Sequence, residues 1–181
     1  MSVLTLSPLL PIVKFEPYTE ANVAEVKDRR GLVIAICIGE VAKGPMRRVE
    51  EAKAIAGRGL EGDRYARAEG SFSKGQLGKR QVTLINALFF VGSGFEYEDT
   101  RRNIVTIGTE LMDLIGKKFI IGDARMKGLK YCDPCKRPST LTGNPNAFDE
   151  VFHDRGGLVA EILQSGLIRV GDAIIPPLKD Y

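Results

Sequence analysis

Two of the three cysteines in this 181-residue chain, Cys132 and Cys135, lie in the segment KYCDPCKRP at residues 130–138. A C-x-x-C pair can act as a redox dithiol, contribute to a zinc site or carry one reactive thiolate. A redox dithiol usually opens a helix inside a β-α-β unit, whereas the prolines of this segment favour a loop. A zinc site needs four ligands. The other candidate ligands are Cys37, within an apolar run, and the sole histidine, His153, so the zinc interpretation is the weaker one.

The cations around the pair favour the third interpretation. Lys130, Lys136 and Arg137 flank the two cysteines. Positive charge stabilises a thiolate, which is the form that attacks sulfur or ligates a soft metal. The sequence therefore predicts a reactive thiolate at Cys132 or Cys135, whereas Cys37 is expected to be an inert, buried thiol.

A glycine-dense segment, GRGLEGDRY at residues 57–65, could bind an anion. Several backbone N–H groups can converge on one anion in such a segment, and Arg58 and Arg64 can add bidentate contacts. The spacing differs from that of a P-loop, because no Gly-Lys-Ser/Thr follows. A simple turn is the alternative interpretation.

Two further segments place arginine beside an amide side chain where a strand is expected to start, and these residues are Arg80 with Gln81, and Arg101 and Arg102 with Asn103. Side chains alternate between the faces of a strand, so only one of Arg101 and Arg102 is expected to face a shared ligand.

Short apolar, β-branched runs bounded by glycine predict the strands that position these side chains. The predicted strands are Leu32 to Ile38, Gln81 to Ile85, Asn103 to Ile107, Lys118 to Ile121, Leu167 to Val170 and Ala173 to Ile175. Gly122-Asp123 and Gly171-Asp172 each separate two runs and predict tight hairpin turns. Apolar residues at helical spacing predict three short helices, around residues 49–56, 111–115 and 158–163, the last ending at Gly166.

The basic residues are concentrated in two parts of the chain. Residues 41–80 hold ten Lys and Arg against five Asp and Glu, and residues 117–137 hold seven against two. The whole chain has a net charge of +3, so the rest is acidic. Local basic segments favour a local anionic ligand over a nucleic acid, although two solvated surface segments would give the same pattern. A shared anion requires the C-D-P-C loop to lie near GLEGDRY.

The chain is predicted to form one domain, residues 31–181, after an N-terminal extension, residues 1–30. No apolar run reaches the roughly 18 to 20 residues of a membrane span. The apolar residues 1–13 lack a basic start and contain two prolines, so no signal peptide is expected. Three cysteines in a chain of this size do not predict a disulfide framework, and a reducing cytoplasm is the expected location.

Seven segments in this order, GLEGDRY, RQVTLI, RRNIVTIG, FIIGDA, CDPC, RGGLVAEIL and GLIRVGD, resemble the MOSC domain, the family named for the C-terminal domain of molybdenum cofactor sulfurases. The resemblance runs from about Gly31 to Pro176. It implies a β-rich, mainly antiparallel, barrel-like fold with a few short helices. It also implies molybdenum cofactor or sulfur-transfer chemistry built around one cysteine.

In stand-alone relatives that cysteine usually follows a proline, which matches Pro134-Cys135. The resemblance thus implies Cys135 as the catalytic cysteine and molybdenum ligand. Cys132, an additional cysteine, is the second catalytic candidate and could resolve a persulfide or disulfide on Cys135. Tyr65 stands where the family often has histidine. The implied cofactor-binding residues are Asp63, Arg64, Tyr65, Arg80, Gln81, Arg101, Arg102, Asn103 and Arg155.

The function implied by the resemblance is binding of the anionic, pterin-based molybdenum cofactor and reductive removal of oxygen from N-hydroxylated compounds, with electrons from a donor protein. The alternative is a sulfur carrier, in which Cys135 holds a persulfide received from a sulfur-donor protein for delivery to a cofactor or metal–sulfur cluster. A third reading is a non-catalytic cofactor-binding partner. Pyridoxal phosphate belongs to a separate domain of the eukaryotic sulfurases and is not expected in this chain. Neither nucleic acid nor a membrane is an expected partner.

Overall fold

The computed structural model describes residues 31–176, whose regular secondary structure is mainly β-strand. The strands are β1 (Gly31–Ile38), β2 (Arg47–Val49), β3 (Glu51–Ile55), β4 (Gly59–Leu60), β5 (Val82–Asn86), β6 (Ile104–Ile107), β7 (Lys118–Ile121), β8 (Ala124–Tyr131), β9 (Leu158–Gln164), β10 (Gly166–Arg169) and β11 (Ala173–Ile175). The predicted extension, residues 1–30, lies outside the described residues.

Seven strands form a closed barrel in the order β11-β7-β8-β9-β5-β6-β1, and β1 closes it by pairing with β11. In the described part of the chain, β5 and β6 pair in parallel and the other strand pairs are antiparallel. β2 extends the sheet beyond β1, and β10, β3 and β4 form a separate three-stranded sheet. The predicted mainly antiparallel β-barrel is confirmed.

The barrel strands β1, β5 and β6 are buried on both faces. On β5, Leu84 packs in the main core, whereas the next residue, Ile85, packs in a second apolar cluster. That second cluster contains the rings of Phe95, Phe148 and Phe152, which contact one another edge-on or stacked. Burial on both faces explains why these strands read as continuous apolar runs in the sequence.

The helices are short. Two α-helices, α1 (Arg137–Thr142) and α2 (Phe148–Val151), follow the C-D-P-C segment, and four 3₁₀ turns cover Arg64–Arg67, Ala87–Phe90, Glu98–Thr100 and Leu111–Leu114. The helix predicted around residues 111–115 is thus present as a 3₁₀ turn. Within residues 31–176, no helix has the length and apolar character needed to cross a membrane.

Two predicted helices are wrong. Residues 158–163 belong to β9, where Leu158, Ala160 and Ile162 face the main core, and Gly166 opens β10 instead of ending a helix. The residues predicted as a helix around 49–56 lie mostly in β2 and β3. A separation of four residues suits one face of a helix and one face of a strand alike, and pairing with neighbouring strands selects the strand.

The two predicted hairpins have different outcomes. β7 and β8 form a hairpin through Gly122, which has φ of 55°, a left-handed conformation that glycine adopts without steric cost. The second prediction is wrong, because the strands on either side of Gly171-Asp172 join different sheets: β10 pairs with β3, and β11 pairs with β7 and β1. The long strand β8, which alternates buried and exposed residues, was not predicted.

Candidate functional site

Asp63, in GLEGDRY, is fully buried and accepts four hydrogen bonds. Its Oδ1 accepts from the backbone N–H of Tyr65, which caps the 3₁₀ turn Arg64–Arg67. Its Oδ2 accepts from Gly39 N (3.0 Å), Arg64 Nη1 (3.1 Å) and Asn103 Nδ2 (3.1 Å). The carboxylate therefore fixes Arg64 and joins the glycine-dense segment to β1 and the start of β6.

Asn103 is also fully buried, and its amide group is fully engaged. Besides Asp63, its Nδ2 donates to the backbone oxygen of Cys37 (3.2 Å). Its Oδ1 accepts from the backbone N–H and the hydroxyl of Thr83, at 3.2 and 3.0 Å. Asp63 and Asn103, both predicted to contact a cofactor, instead hydrogen-bond to protein groups. We refer to such residues, which hold the site's side chains and backbone in place, as the frame.

Arg102 holds the C-D-P-C segment in place. This buried guanidinium donates to four backbone oxygens: Gly156 (2.8 Å), Cys132 (3.1 Å), Thr100 (3.2 Å) and Asp133 (3.4 Å). A Cβ added at Gly156 would overlap the Cys132 carbonyl oxygen and the Pro134 ring, so glycine permits this close approach. Arg102 is therefore a positioning residue for the segment that carries Cys135.

The three cysteines differ in exposure. Cys37 lies fully buried in β1, and burial, with a smaller contribution from the Glu98 carboxylate, raises its pKa to about 12. Cys132 is 1% exposed, whereas Cys135 is partly exposed. All three are free thiols, and within residues 31–176 no three His, Cys, Asp or Glu side chains form a metal-binding group.

We expect iodoacetamide at pH 8 to label Cys135 in the folded protein much faster than Cys37 or Cys132. The reagent needs an accessible thiolate, and the other two thiols are buried. Peptide mass spectrometry over a time course measures the three rates. The Cys135→Ser variant is the control and should lose the fast reaction, whereas equally fast labelling of the Cys37 peptide would contradict this expectation.

Cys135 opens onto a cleft whose lining contains five arginines, Arg64, Arg80, Arg101, Arg102 and Arg137. Tyr65, Ser71, Phe72, Thr83 and Pro138 complete the lining, and no aspartate or glutamate of the described chain is part of it. The structure thus brings the C-D-P-C loop and GLEGDRY to one place. A cleft with this composition is suited to an anionic ligand, because its electrostatic field is positive and its guanidiniums offer paired donors.

Arg101 shows how crowded the positive charge is. Desolvation, followed by repulsion from Arg64 and more weakly from Arg137, lowers its pKa to about 10. Its Nη1 donates to the backbone oxygen of Gly44 (2.7 Å). Arg101 and Arg102 both reach the cleft, contrary to the alternation expected, because Arg101 precedes β6 and has a left-handed backbone with φ of 60°.

At the cleft's mouth, two arginines contact the ring of Phe72. The guanidinium carbons of Arg80 and Arg137 lie 4.3 and 5.2 Å from the ring centroid, within the range of cation–π interactions. Phe72 is 44% exposed. We refer to Arg80 and Arg137 as the outer pair, and to Arg64 and Arg101 as the inner pair.

The remaining predicted residues lie elsewhere. Arg155 is exposed, with its guanidinium over the ring of Phe89. Gln81 bonds to the backbone of Gly78 and Ile162 and does not line the cleft. Sequence reasoning named Arg137 as a cation beside the two cysteines but not as a cofactor-binding residue. It did not identify Phe72, which carries no motif signal.

The fold recurs in solved structures of low sequence identity. The YuaD protein from Bacillus subtilis matches with a TM-score of 0.66 and 18% identity, covering 80% of this chain and 94% of that chain. YiiM from Geobacillus stearothermophilus matches with a TM-score of 0.60 and 13% identity, covering 82% and 76%. YiiM from Escherichia coli matches with 0.57 and 15%, covering 83% and 70%. Identities this low establish the fold alone.

No curated protein matches the chain significantly. The family model of the MOSC domain matches residues 76–175, more than half of the chain. β1 precedes this stretch, yet it pairs with β6 and β11 and so belongs to the same barrel. The chain therefore belongs to the MOSC domain family, a family associated with molybdenum cofactor binding.

Proposed function

We propose that the arginine-lined cleft binds the molybdenum cofactor and that Cys135 provides a thiolate ligand to the molybdenum. The observation that carries this proposal is the composition of the cleft lining. Among residues 31–176, it contains five guanidiniums and one accessible thiol, and none of its side chains is a carboxylate. A phosphate monoester carries close to two negative charges at neutral pH. The donor set fits such a group, because guanidinium forks match phosphate oxygens in geometry as well as in charge.

The inner pair is suited to the cofactor phosphate. Arg64 uses Nη1 for Asp63 and Gly39, and its Nε and Nη2 have no hydrogen-bond partner among residues 31–176. Arg101 uses Nη1 for Gly44 and likewise keeps donors available. Asp63 holds Arg64 in place before any ligand arrives, so the Arg64 side chain loses less conformational freedom on binding.

Cys135 is suited to the metal. A thiolate is a soft ligand, and Arg102 fixes the backbone of the segment that carries it. When bound, the cofactor would supply a metal centre for two-electron reduction. Removing oxygen from an N-hydroxyl group consumes two electrons and two protons, breaks the N–O bond and releases water. The electrons must come from an external donor, for which we propose an electron-transfer protein in a reducing cytoplasm.

Metal analysis of protein purified from a cofactor-competent host tests this function. We expect about one molybdenum per chain, and reduction of an N-hydroxylated amidine to the amidine when a chemical reductant supplies electrons. Metal-free protein carrying cyanide-labile sulfur would overturn the proposal in favour of the sulfur carrier. Molybdenum without any reductase activity would overturn the enzymatic part and favour a non-catalytic binding partner.

A further inference from the structure

We propose that the outer pair, Arg80 and Arg137 on the ring of Phe72, forms a second anion subsite that selects substrates carrying an oxyanion group such as a carboxylate or phosphate. This inference rests on the proposed function, because it assigns the substrate class of the same cleft.

The five arginines of the cleft are not equivalent. Arg102 is committed to four backbone oxygens, and Arg64 has a carboxylate partner, Asp63, at 3.1 Å. By contrast, the guanidinium groups of Arg80 and Arg137 have no carboxylate within 4.0 Å and donate no hydrogen bond among residues 31–176. As far as residues 31–176 are concerned, these two cations of the cleft lining therefore retain all their guanidinium donors for a ligand.

Phe72 gives the outer pair a defined geometry. The guanidinium carbons of Arg80 and Arg137 lie 4.3 and 5.2 Å from the same ring centroid, so one side chain positions both cations of the outer pair. A guanidinium over a ring leaves its N–H donors free at the edge of its plane, where an oxyanion can accept them. The ring thus acts as a support on which two like charges can meet one anion.

The outer pair is distinct from the inner pair. Arg64 is held by the Asp63 carboxylate and Arg101 by the Gly44 backbone oxygen, whereas both members of the outer pair pack on Phe72. One phosphate held by Arg64 and Arg101 would therefore leave Arg80 and Arg137 without their own counter-charge. Arg137 follows Cys135 by two residues, so an anionic group on the outer pair would hold the rest of a small substrate beside the thiol.

Titration of cofactor-loaded protein with inorganic phosphate, followed by the arginine side-chain signals in NMR, tests the subsite without relying on activity. We expect one phosphate to bind, and Arg80→Gln and Arg137→Gln each to weaken it about tenfold or more, as loss of a hydrogen bond to a charged group implies. Lys79→Gln is the matched control: this exposed neighbour of Arg80 does not line the cleft, so its affinity should equal that of wild type. Unchanged affinity in both arginine variants would overturn the inference.

Substrate discrimination provides the second measurement. Two N-hydroxyamidine substrates are compared, one with a carboxylate on its ring and the other its neutral methyl ester. The measured quantity is kcat/KM of the carboxylate substrate divided by kcat/KM of the ester. We expect the ratio to fall about tenfold in Arg80→Gln and Arg137→Gln and to stay at the wild-type value in Lys79→Gln. An unchanged ratio in the arginine variants would contradict the assigned substrate class.

The two proposals fail in different ways. Wild-type protein without molybdenum would refute the proposed function. In that cofactor-free protein the inner pair is also open to phosphate, so the outer pair is tested by the separate shifts of the Arg80 and Arg137 side-chain signals. If the wild-type protein contains molybdenum but Arg80→Gln and Arg137→Gln bind phosphate as tightly as wild type does, the subsite alone is refuted. Thermal melts of each variant show whether the barrel is intact.

Discussion

Replacing Cys135 with serine is expected to reduce bound molybdenum to less than about a tenth of the wild-type content while the protein stays folded. A serine hydroxyl is a hard, protonated group at neutral pH and cannot replace a thiolate as a ligand to molybdenum. The side chain is partly exposed and belongs to neither apolar core cluster, so the substitution removes little packing. Molybdenum per chain, measured by mass spectrometry beside a thermal melt, checks both halves of this expectation.

Cys132→Ser is the matched variant, because it makes the same chemical change three residues earlier. Cys132 is 1% exposed, so a hydroxyl there enters an apolar environment and weakens the segment that carries Cys135. We expect reduced but measurable molybdenum retention, with a lowered melting temperature. Retention in Cys135→Ser equal to that of wild type would refute Cys135 as the ligand, and loss in Cys132→Ser alone would transfer that role to Cys132.

The Asp63→Ala substitution is expected to lower the free energy of unfolding by about 3 to 5 kcal/mol, the range for breaking a buried ion pair by removing one partner. The side chains of Asp63 and Arg64 are 0% and 4% exposed. Alanine would remove the only carboxylate partner of Arg64 among residues 31–176, one of the two acceptors of the Asn103 amide, and the cap of the Tyr65 N–H. Urea denaturation followed by circular dichroism measures the change.

Two variants make the Asp63 measurement specific. Asp63→Asn keeps an oxygen for the cap but loses the negative charge, so we expect an intermediate loss of stability. Glu61→Ala removes an exposed carboxylate two residues earlier that makes no hydrogen bond within residues 31–176, and it should change stability by less than about 0.5 kcal/mol. A loss below about 1 kcal/mol in Asp63→Ala would show that Arg64 does not depend on this carboxylate.

The motif residues of this chain divide into a frame and a ligand-facing set. In the frame, most polar side-chain atoms of Asp63, Asn103 and Arg102 form hydrogen bonds with neighbouring protein groups. Arg101 and Cys135 face the cleft and keep donor or nucleophilic capacity for a ligand. A motif in the sequence marks both sets alike, since substitutions in either would damage the same site.

Patterns that depend on near neighbours were readable from the sequence. The strand Lys118–Ile121 and its hairpin at Gly122 follow from a short β-branched run and a glycine turn, and both are present. The ordered motifs indicated the barrel fold. The charge distribution, interpreted as two basic segments around one anion, predicted that the C-D-P-C loop and GLEGDRY lie close together, and both contribute side chains to one cleft.

Only the tertiary structure decided what depends on residues far apart in the chain. Leu158–Gln164 has an apolar spacing that suits a helix equally well. It forms a strand because it pairs with β5 and β8 and packs its apolar residues in the main core. Arg102 was assigned to the frame by the carbonyl of Cys132, 30 residues away, and Asp63 by the amide of Asn103, 40 residues away. The resemblance implied Cys135 rather than Cys132 from the preceding proline, but only the packed structure shows that Cys135 is partly exposed and Cys132 is buried. Local pattern determines which conformations a segment can adopt, but burial and hydrogen-bond partners exist only once distant segments have packed together.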